Sequence, residues 1–188
     1  MCFVLLFLYA TSLYPGGSQA NLNSVGFDWI NNYWCNLMGK KGMNGALNPA
    51  RPYAIFAMIL LCGSLSVFFY QFAEFLTLNN TWKILIKFGG ILSMAFAALV
   101  FTDYHDLMTI VSSLFGLFAV VGVIKEIYVS HLWFYKLTGI VCILLLSLNN
   151  LIYYSVHFLE WLPFLQKITI VIVLIWVLCV NEEIRKKI

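Results

Sequence analysis

YPGGSQANLNSVGFDWINNYWCNLMGKKGMNGALNPARP, residues 14–52, is the long stretch of this chain that does not read as membrane. A Pro-Gly-Gly exit at Pro15 to Gly17 opens it, and an Asn-Pro-Ala-Arg-Pro run at Asn48 to Pro52 closes it. Beyond Pro52 the chain is apolar and broken only by short turns. The expected fold is therefore all-α, a polytopic helical membrane bundle carrying one substantial cap over residues 15–51.

Composition supports that class. The 188 residues are 62% hydrophobic and 10% charged, with a mean hydropathy of +0.90, whereas soluble domains carry about 25% charged residues. Apolar runs near the roughly 20 residues needed to cross a bilayer recur at about 1–14, 52–76, 84–101, 106–125, 132–154 and 162–180, with a charged tail at 181–188. These six spans leave too little sequence between them for a second domain. The net charge of +3 is small and its basic residues sit at helix ends, so nucleic-acid binding has no support. Of the five cysteines, Cys2, Cys62, Cys142 and Cys179 fall in apolar runs. That leaves Cys35 to meet an oxidising compartment and argues against a structural disulfide.

The first span is short and has no lysine or arginine before it. A cleaved signal peptide, with Gly17 to Ala20 as the cleavage site, competes with a retained helix that thins the bilayer or lacks some upstream residues. The missing basic region favours the helix. Within the cap, Phe27 to Met38 has helical periodicity: Trp29 and Ile30, Tyr33 and Trp34, Leu37 and Met38 recur on one face. Asp28 is placed to cap its start and Gly39 to close its end, with Asp28, Asn32 and Asn36 stacked on another face. The expectation is an interfacial helix with a polar side. Lys40 to Gly45 and Asn79 to Lys83 read as turns.

With six spans, both termini share a side. Lys83, Lys87, Lys125, Lys136, Arg185, Lys186 and Lys187 fall there, against Lys40, Lys41, Arg51 and Lys167 on the other. Positive charge marks the cytoplasmic side, so the termini are expected inside and the cap outside. His131, on an inner loop, reads as ordinary surface.

Polar residues then collect on the outer side. The candidates for chemistry are His105 and Asp106, at the start of the fourth span. Arg51, Asn32, Asn36, Asp28, Asp103, Asn149, Asn150, His157 and Glu160 are candidates for ligand binding. Each has a plainer reading. Acidic residues at a helix start accept orphan N–H groups, which accounts for Asp103 and Asp106 as well as chemistry does. Arg51 suits a phosphate or carboxylate, or it locks the cap through Asp28, Asp103 or Asp106. Asn149 and Asn150 serve equally as interhelical glue, and Lys167 as a snorkelling lysine. His105, His157 and Glu160 would be just enough ligands for zinc, but no pair has a diagnostic spacing and a helix N-terminus disfavours a cation. No metal or other cofactor is assigned. Gly89, Ser93 and Ala97 recur every fourth residue, as do Ser112 and Gly116. That pattern lets helices approach closely, within the chain or in a homo- or hetero-oligomer.

The motifs Tyr14-Pro-Gly-Gly-Ser18, Asn32-Tyr-Trp-Cys-Asn-Leu37, Asn48-Pro-Ala-Arg51, His105-Asp106 and Asn149-Asn150 followed by Tyr153 together resemble a family of bacterial six-span membrane proteins, domain of unknown function, family 998. That family is distantly similar to the Frag, DRAM and Sfk group of eukaryotic membrane proteins. The resemblance spans most of the chain and implies six spans in the bacterial inner membrane with an outer polar site, but no reaction. Members often carry an acidic residue where this chain has Asn36, so a role requiring charge there is not implied. The eukaryotic group's association with lipid-anchor remodelling points toward lipid.

Three functions are expected from these features. The first is binding or remodelling of a lipid or lipid-linked headgroup, with membrane lipids as partners; the sequence leaves open whether the chain is an enzyme. The second is a small-solute transporter, against which the spans lack interior charges and broken helices. The third is a non-catalytic structural or assembly subunit in which the polar cluster is internal bracing.

Overall fold

The computed structural model describes residues 2–74, 79–129, 133–155 and 157–186. His131 and Lys187 lie outside the described residues, as does the expected end of the second span at residue 76. The described chain is all-helical: α1 (Cys2–Leu13), α2 (Arg51–Glu74), α3 (Asn80–Ala97), α4 (His105–Val129), α5 (Trp133–Ser155) and α6 (Leu162–Arg185). Short 3-10 segments occur at Trp34–Met38 in the cap and at Leu159–Trp161 before α6.

Among the described residues, four helical segments are long and apolar enough to cross a membrane: Arg51–Glu74, His105–Tyr128, Tyr135–Ser155 and Leu159–Glu183. The other two helices differ. α1 is apolar but has 12 residues, which reach only about 18 Å against a hydrocarbon core of about 30 Å. α3 has 18 residues and carries Lys83 and Lys87. It also begins earlier than the sequence suggests: Asn79 caps it by accepting the Trp82 amide at 3.3 Å, so Lys83 belongs to the helix rather than to a loop.

The expected interfacial helix over Phe27–Met38 does not form; only Trp34–Met38 is helical, as a 3-10 segment. The cause is local. Asp28 Oδ1 accepts the amides of Ile30 and Asn31, at 2.9 and 3.1 Å, and Asn32 Oδ1 takes the Asp28 amide at 2.8 Å. Side chains of this type offer the backbone an alternative to helix. The six apolar positions assigned to one face consequently separate: Trp29 and Ile30 are exposed, while Leu37 and Met38 are buried.

Two compact units make up the chain, and the boundaries between them fall inside α2, α5 and α6. The first unit comprises Met1–Leu61 and Leu146–Ile170. Here Phe7 of α1 stacks on Trp34 with centroids 5.2 Å apart, and Tyr9 meets the Tyr53 ring edge-on at 5.0 Å. Small residues Ala54 and Ala57 line the buried face of α2, with Ala50 buried just before it. At Gly16 and Gly17 the chain turns with φ of 130° and 82°. That region is open to glycine and strained for other residues, and a Cβ at Gly17 would overlap the Met43 backbone.

The second unit comprises Cys62–Leu145 and Val171–Ile188. Its core gathers Phe68, Phe69, Phe72, Ile86, Val123, Ile127 and Trp176. Trp176 Nε1 donates to the Tyr135 carbonyl at 2.9 Å, tying α6 to α5. α3 packs closely on α4 through small residues. A Cβ at Gly89 would stand 3.2 Å from the Phe115 carbonyl, and Ser93 and Ser112 exchange hydroxyl-to-carbonyl hydrogen bonds of 2.8 and 2.9 Å. The Gly89 and Ser93 face offered to an oligomeric partner is thus occupied within the chain by α4.

Gly90 admits the Phe69 ring so closely that an added Cβ would overlap Cβ and Cγ of that side chain, atoms that cannot swing away. Gly90→Ala is expected to destabilise the second unit by about 1–3 kcal/mol. Gly63→Ala, on an exposed face with nothing within 4 Å, should leave stability equal or slightly higher. Thermal unfolding of both variants in detergent micelles checks the pair.

Candidate functional site

The cap, residues 15–51, is built on α1, α2 and the N-terminal part of α6. Its centre is Asn32, wholly buried. Besides holding the Asp28 amide, Asn32 donates through Nδ2 to the Gly17 carbonyl at 2.8 Å. Its own carbonyl accepts a hydrogen bond from Lys167 Nζ. The same ammonium donates to the Pro163 carbonyl at 3.0 Å and lies 5.7 Å from the Phe27 ring centroid. Lys167 is 8% exposed. It therefore does not snorkel to headgroups as expected from its place near a span end; it pins α6 to the middle of the cap.

Asn48 is the second bracket. Its side-chain amide donates to the carbonyls of Leu37 and Gly39 at 3.0 and 2.9 Å, while its Oδ1 accepts the Ala50 amide at 3.1 Å in the turn that leads into α2. Tyr14, at the end of α1, accepts the Met43 amide on its hydroxyl at 3.0 Å. Each bracket satisfies buried backbone groups that would otherwise be costly. Asn36 Oδ1 takes the Tyr33 amide at 2.6 Å, so it too is engaged locally.

Arg51 locks the cap by a route other than the expected carboxylates: its Nε donates to the Met38 carbonyl at 3.1 Å. That bond ties the guanidinium to the cap backbone. Among the described residues, neither terminal amino group of Arg51 has a hydrogen-bond partner. Arg51 is half-buried and stands at the first position of the 24-residue α2, where the helix dipole is positive.

The remaining candidates in this unit scatter. Asn149 Nδ2 donates to the buried Thr169 hydroxyl at 2.8 Å, joining α5 to α6, and Asn150 Nδ2 returns to the Leu146 carbonyl of its own helix at 2.9 Å. His157 and Glu160 are exposed; His157 Nδ1 lies 2.7 Å from the Ser155 carbonyl oxygen.

Asp103, His105 and Asp106 belong to the second unit. His105 Nδ1 and Asp106 Oδ1 are 3.1 Å apart, with the imidazole 40% and the carboxylate 74% exposed. The carboxylate orients the ring, while Thr109 Oγ1 donates to the His105 carbonyl at 2.8 Å. Among the described residues, no three His, Cys, Asp or Glu side chains gather as a metal-binding group.

Cap electrostatics reflect these contacts. Slight burial raises the Asp28 carboxyl pKa, but the hydrogen bonds from Asn31, Ile30 and Ser18 outweigh it and hold the group below its ordinary value. Enclosure pushes the Cys35 thiol up to about 11, backbone hydrogen bonds and the Lys167 charge acting in the opposite sense. Cys35 is free and, at that value, a neutral thiol near pH 7. Burial likewise raises Tyr14, against the Met43 hydrogen bond.

Asn48, Tyr14, Lys167 and Thr169 are structural anchors that the sequence did not reveal as such. Two carried a signal: an Asn-Pro pair directly before a span is a helix-cap pattern, and a lysine inside an otherwise apolar run requires acceptors.

Searches against protein-family models, functionally characterised proteins and solved structures gave no match. Fold and site define the chain as a helical membrane protein with a hydrogen-bonded cap.

Lys167→Met keeps the stem but removes the ammonium, leaving the Asn32 and Pro163 carbonyls without that donor. The cap is expected to loosen by about 1–3 kcal/mol, read as faster proteolysis between residues 15 and 50. Asp28 is depressed in the folded state, so its contribution is present above its unfolded value near pH 4 and is lost as pH falls through the lower folded value. Protease sensitivity of the cap should rise below about pH 4, and Asp28→Asn should flatten that dependence.

Proposed function

We propose that this chain is an integral membrane protein that binds an anionic lipid or lipid-linked headgroup where the cap meets α2, with Arg51 as the receptor. One observation carries this reading. The Nε bond to Met38 holds the guanidinium in place and leaves its two terminal amino groups for a ligand. A guanidinium presented this way matches a phosphate or carboxylate bidentately, and the N-terminus of α2 adds favourable potential. Asn32, Asn36, Asp28 and Asn48 support the site by holding the cap rigid rather than by touching ligand.

In this reading all six helices cross the bilayer, α1 by local thinning and α3 with its lysines reaching the interface. The excess of Lys and Arg on the side of the termini sets them in the cytoplasm and the cap outside, as in the bacterial six-span family that the motifs resemble. The headgroup would then be taken from the outer leaflet of a bacterial inner membrane.

A second reading adds chemistry. His105, with Asp106 holding its ring, has the form of a general acid/base, so remodelling of a lipid is tied to that pair and not to Arg51.

Photoactivatable phosphatidylglycerol cross-linked to the protein in vesicles tests the first reading. Adducts should map to residues near Arg51 and fall about tenfold in Arg51→Ala, with Arg51→Lys restoring little of the loss. Equal labelling of Arg51→Ala and wild type would overturn it. For the second reading, His105→Ala should alter a lipid class in whole-cell lipid profiles while leaving protein abundance unchanged; parallel loss of abundance would mark His105 as bracing.

A further inference from the structure

A separate feature lies in the other unit, between the last turn of α2 and the first turns of α3. A cavity of about 230 Å³ opens there, lined by Ala73, Glu74, Asn80, Lys83, Ile84, Lys87 and Phe88. Its lining is divided by chemistry. Lys83, Lys87 and Asn80 supply cationic and polar donors, close to the N-terminus of α3 with its positive dipole end. Ala73, Ile84 and Phe88 supply an apolar wall, and both Ile84 and Phe88 are 56% exposed on the outside of their helix. A free phosphate uses only the donors. A lipid uses both, its phosphate against the lysines and its glycerol and first methylenes along Ile84 and Phe88.

The surroundings match a bilayer interface. Lys87 lies over the Tyr70 ring at 4.0 Å, Lys125 over Trp82 at 4.1 Å, and Lys136 over Tyr128 at 3.8 Å. Three ammonium groups, each on an aromatic face, form the basic and aromatic belt that favours the headgroup level. Lys87 also pairs with Glu74 at 2.6 Å, and the Glu74 carboxylate is 53% exposed. It occupies the cavity's lip and competes with any incoming anion.

We propose that this cavity is a seat for an anionic phospholipid headgroup, held by Lys83 and Lys87, with Glu74 as the internal anion the headgroup displaces from Lys87. Two lysines near a membrane surface favour an anionic lipid by an amount corresponding to roughly tenfold or more in affinity. Selection is for charge, so phosphatidylglycerol is preferred to phosphatidylcholine.

Full-length protein in vesicles of mixed phosphatidylglycerol and phosphatidylcholine, each in turn carrying the photoactivatable group, tests this by the fraction of adducts mapping to residues 79–88. Wild type should label preferentially with phosphatidylglycerol. Lys83→Ala combined with Lys87→Ala should lose about tenfold, whereas Glu74→Gln, which removes the competitor and keeps the packing, should gain severalfold. Adducts near Arg51 should be unchanged in both, separating this site from the cap. Equal labelling by the two lipids, or no gain in Glu74→Gln, overturns the proposal even if the double variant folds poorly. Competition by millimolar inorganic phosphate to the same extent as by added phosphatidylglycerol would identify a phosphate site and overturn the lipid assignment.

Discussion

The first unit depends on one buried cation. An ammonium taken out of water is costly unless its charge is met by acceptors, and Lys167 meets this by donating to the carbonyls of Pro163, in its own helix, and Asn32, in the cap. Asn32 reaches the required position because its side chain is held at both ends, by the Gly17 carbonyl and the Asp28 amide. The Gly16 and Gly17 turn, the Asp28 turn and α6 are thereby made mutually dependent. Asn48 and Arg51 fasten the other side of the cap to α2, and Tyr14 fastens it to α1.

This bracing sorts the polar residues by use. Asn32, Asn36, Asn48 and Asn149 form hydrogen bonds that hold backbone or neighbouring side chains, which is the internal role a structural subunit would need. Arg51 and His105 differ, since the contacts they make run through Nε to the Met38 carbonyl and between Nδ1 and the Asp106 carboxylate. The cap is held together by these brackets, and its asparagines serve its own backbone.

The second unit is organised by close apolar approach instead. Gly89, Ser93 and Ser112 bring α3 and α4 together, and Gly90 admits Phe69. Close van der Waals contact and hydroxyl-to-carbonyl bonding of this kind hold the two helices together. Charge is displaced to the helix ends, where Lys87, Lys125 and Lys136 lie over aromatic rings.

How much was legible beforehand divides by the range of the interaction involved. Hydropathy and local breakers locate six helical segments among the described residues to within a few positions, because apolar character sums along a segment, and four of them are long and apolar enough to cross a membrane. The small-residue spacing was readable too, though not whether its partner was internal. The Phe27–Met38 helix failed because periodicity counts side chains and ignores the competing hydrogen bonds that Asp28 and Asn32 offer the backbone. The anchoring role of Lys167 has no local signature because its acceptor in the cap is 135 residues away. Hydropathy and charge placement alone specify an all-helical membrane protein and the order of its segments. Which polar groups brace the cap depends on the folded arrangement, because the role of a hydrogen-bond donor is set by the acceptor it meets.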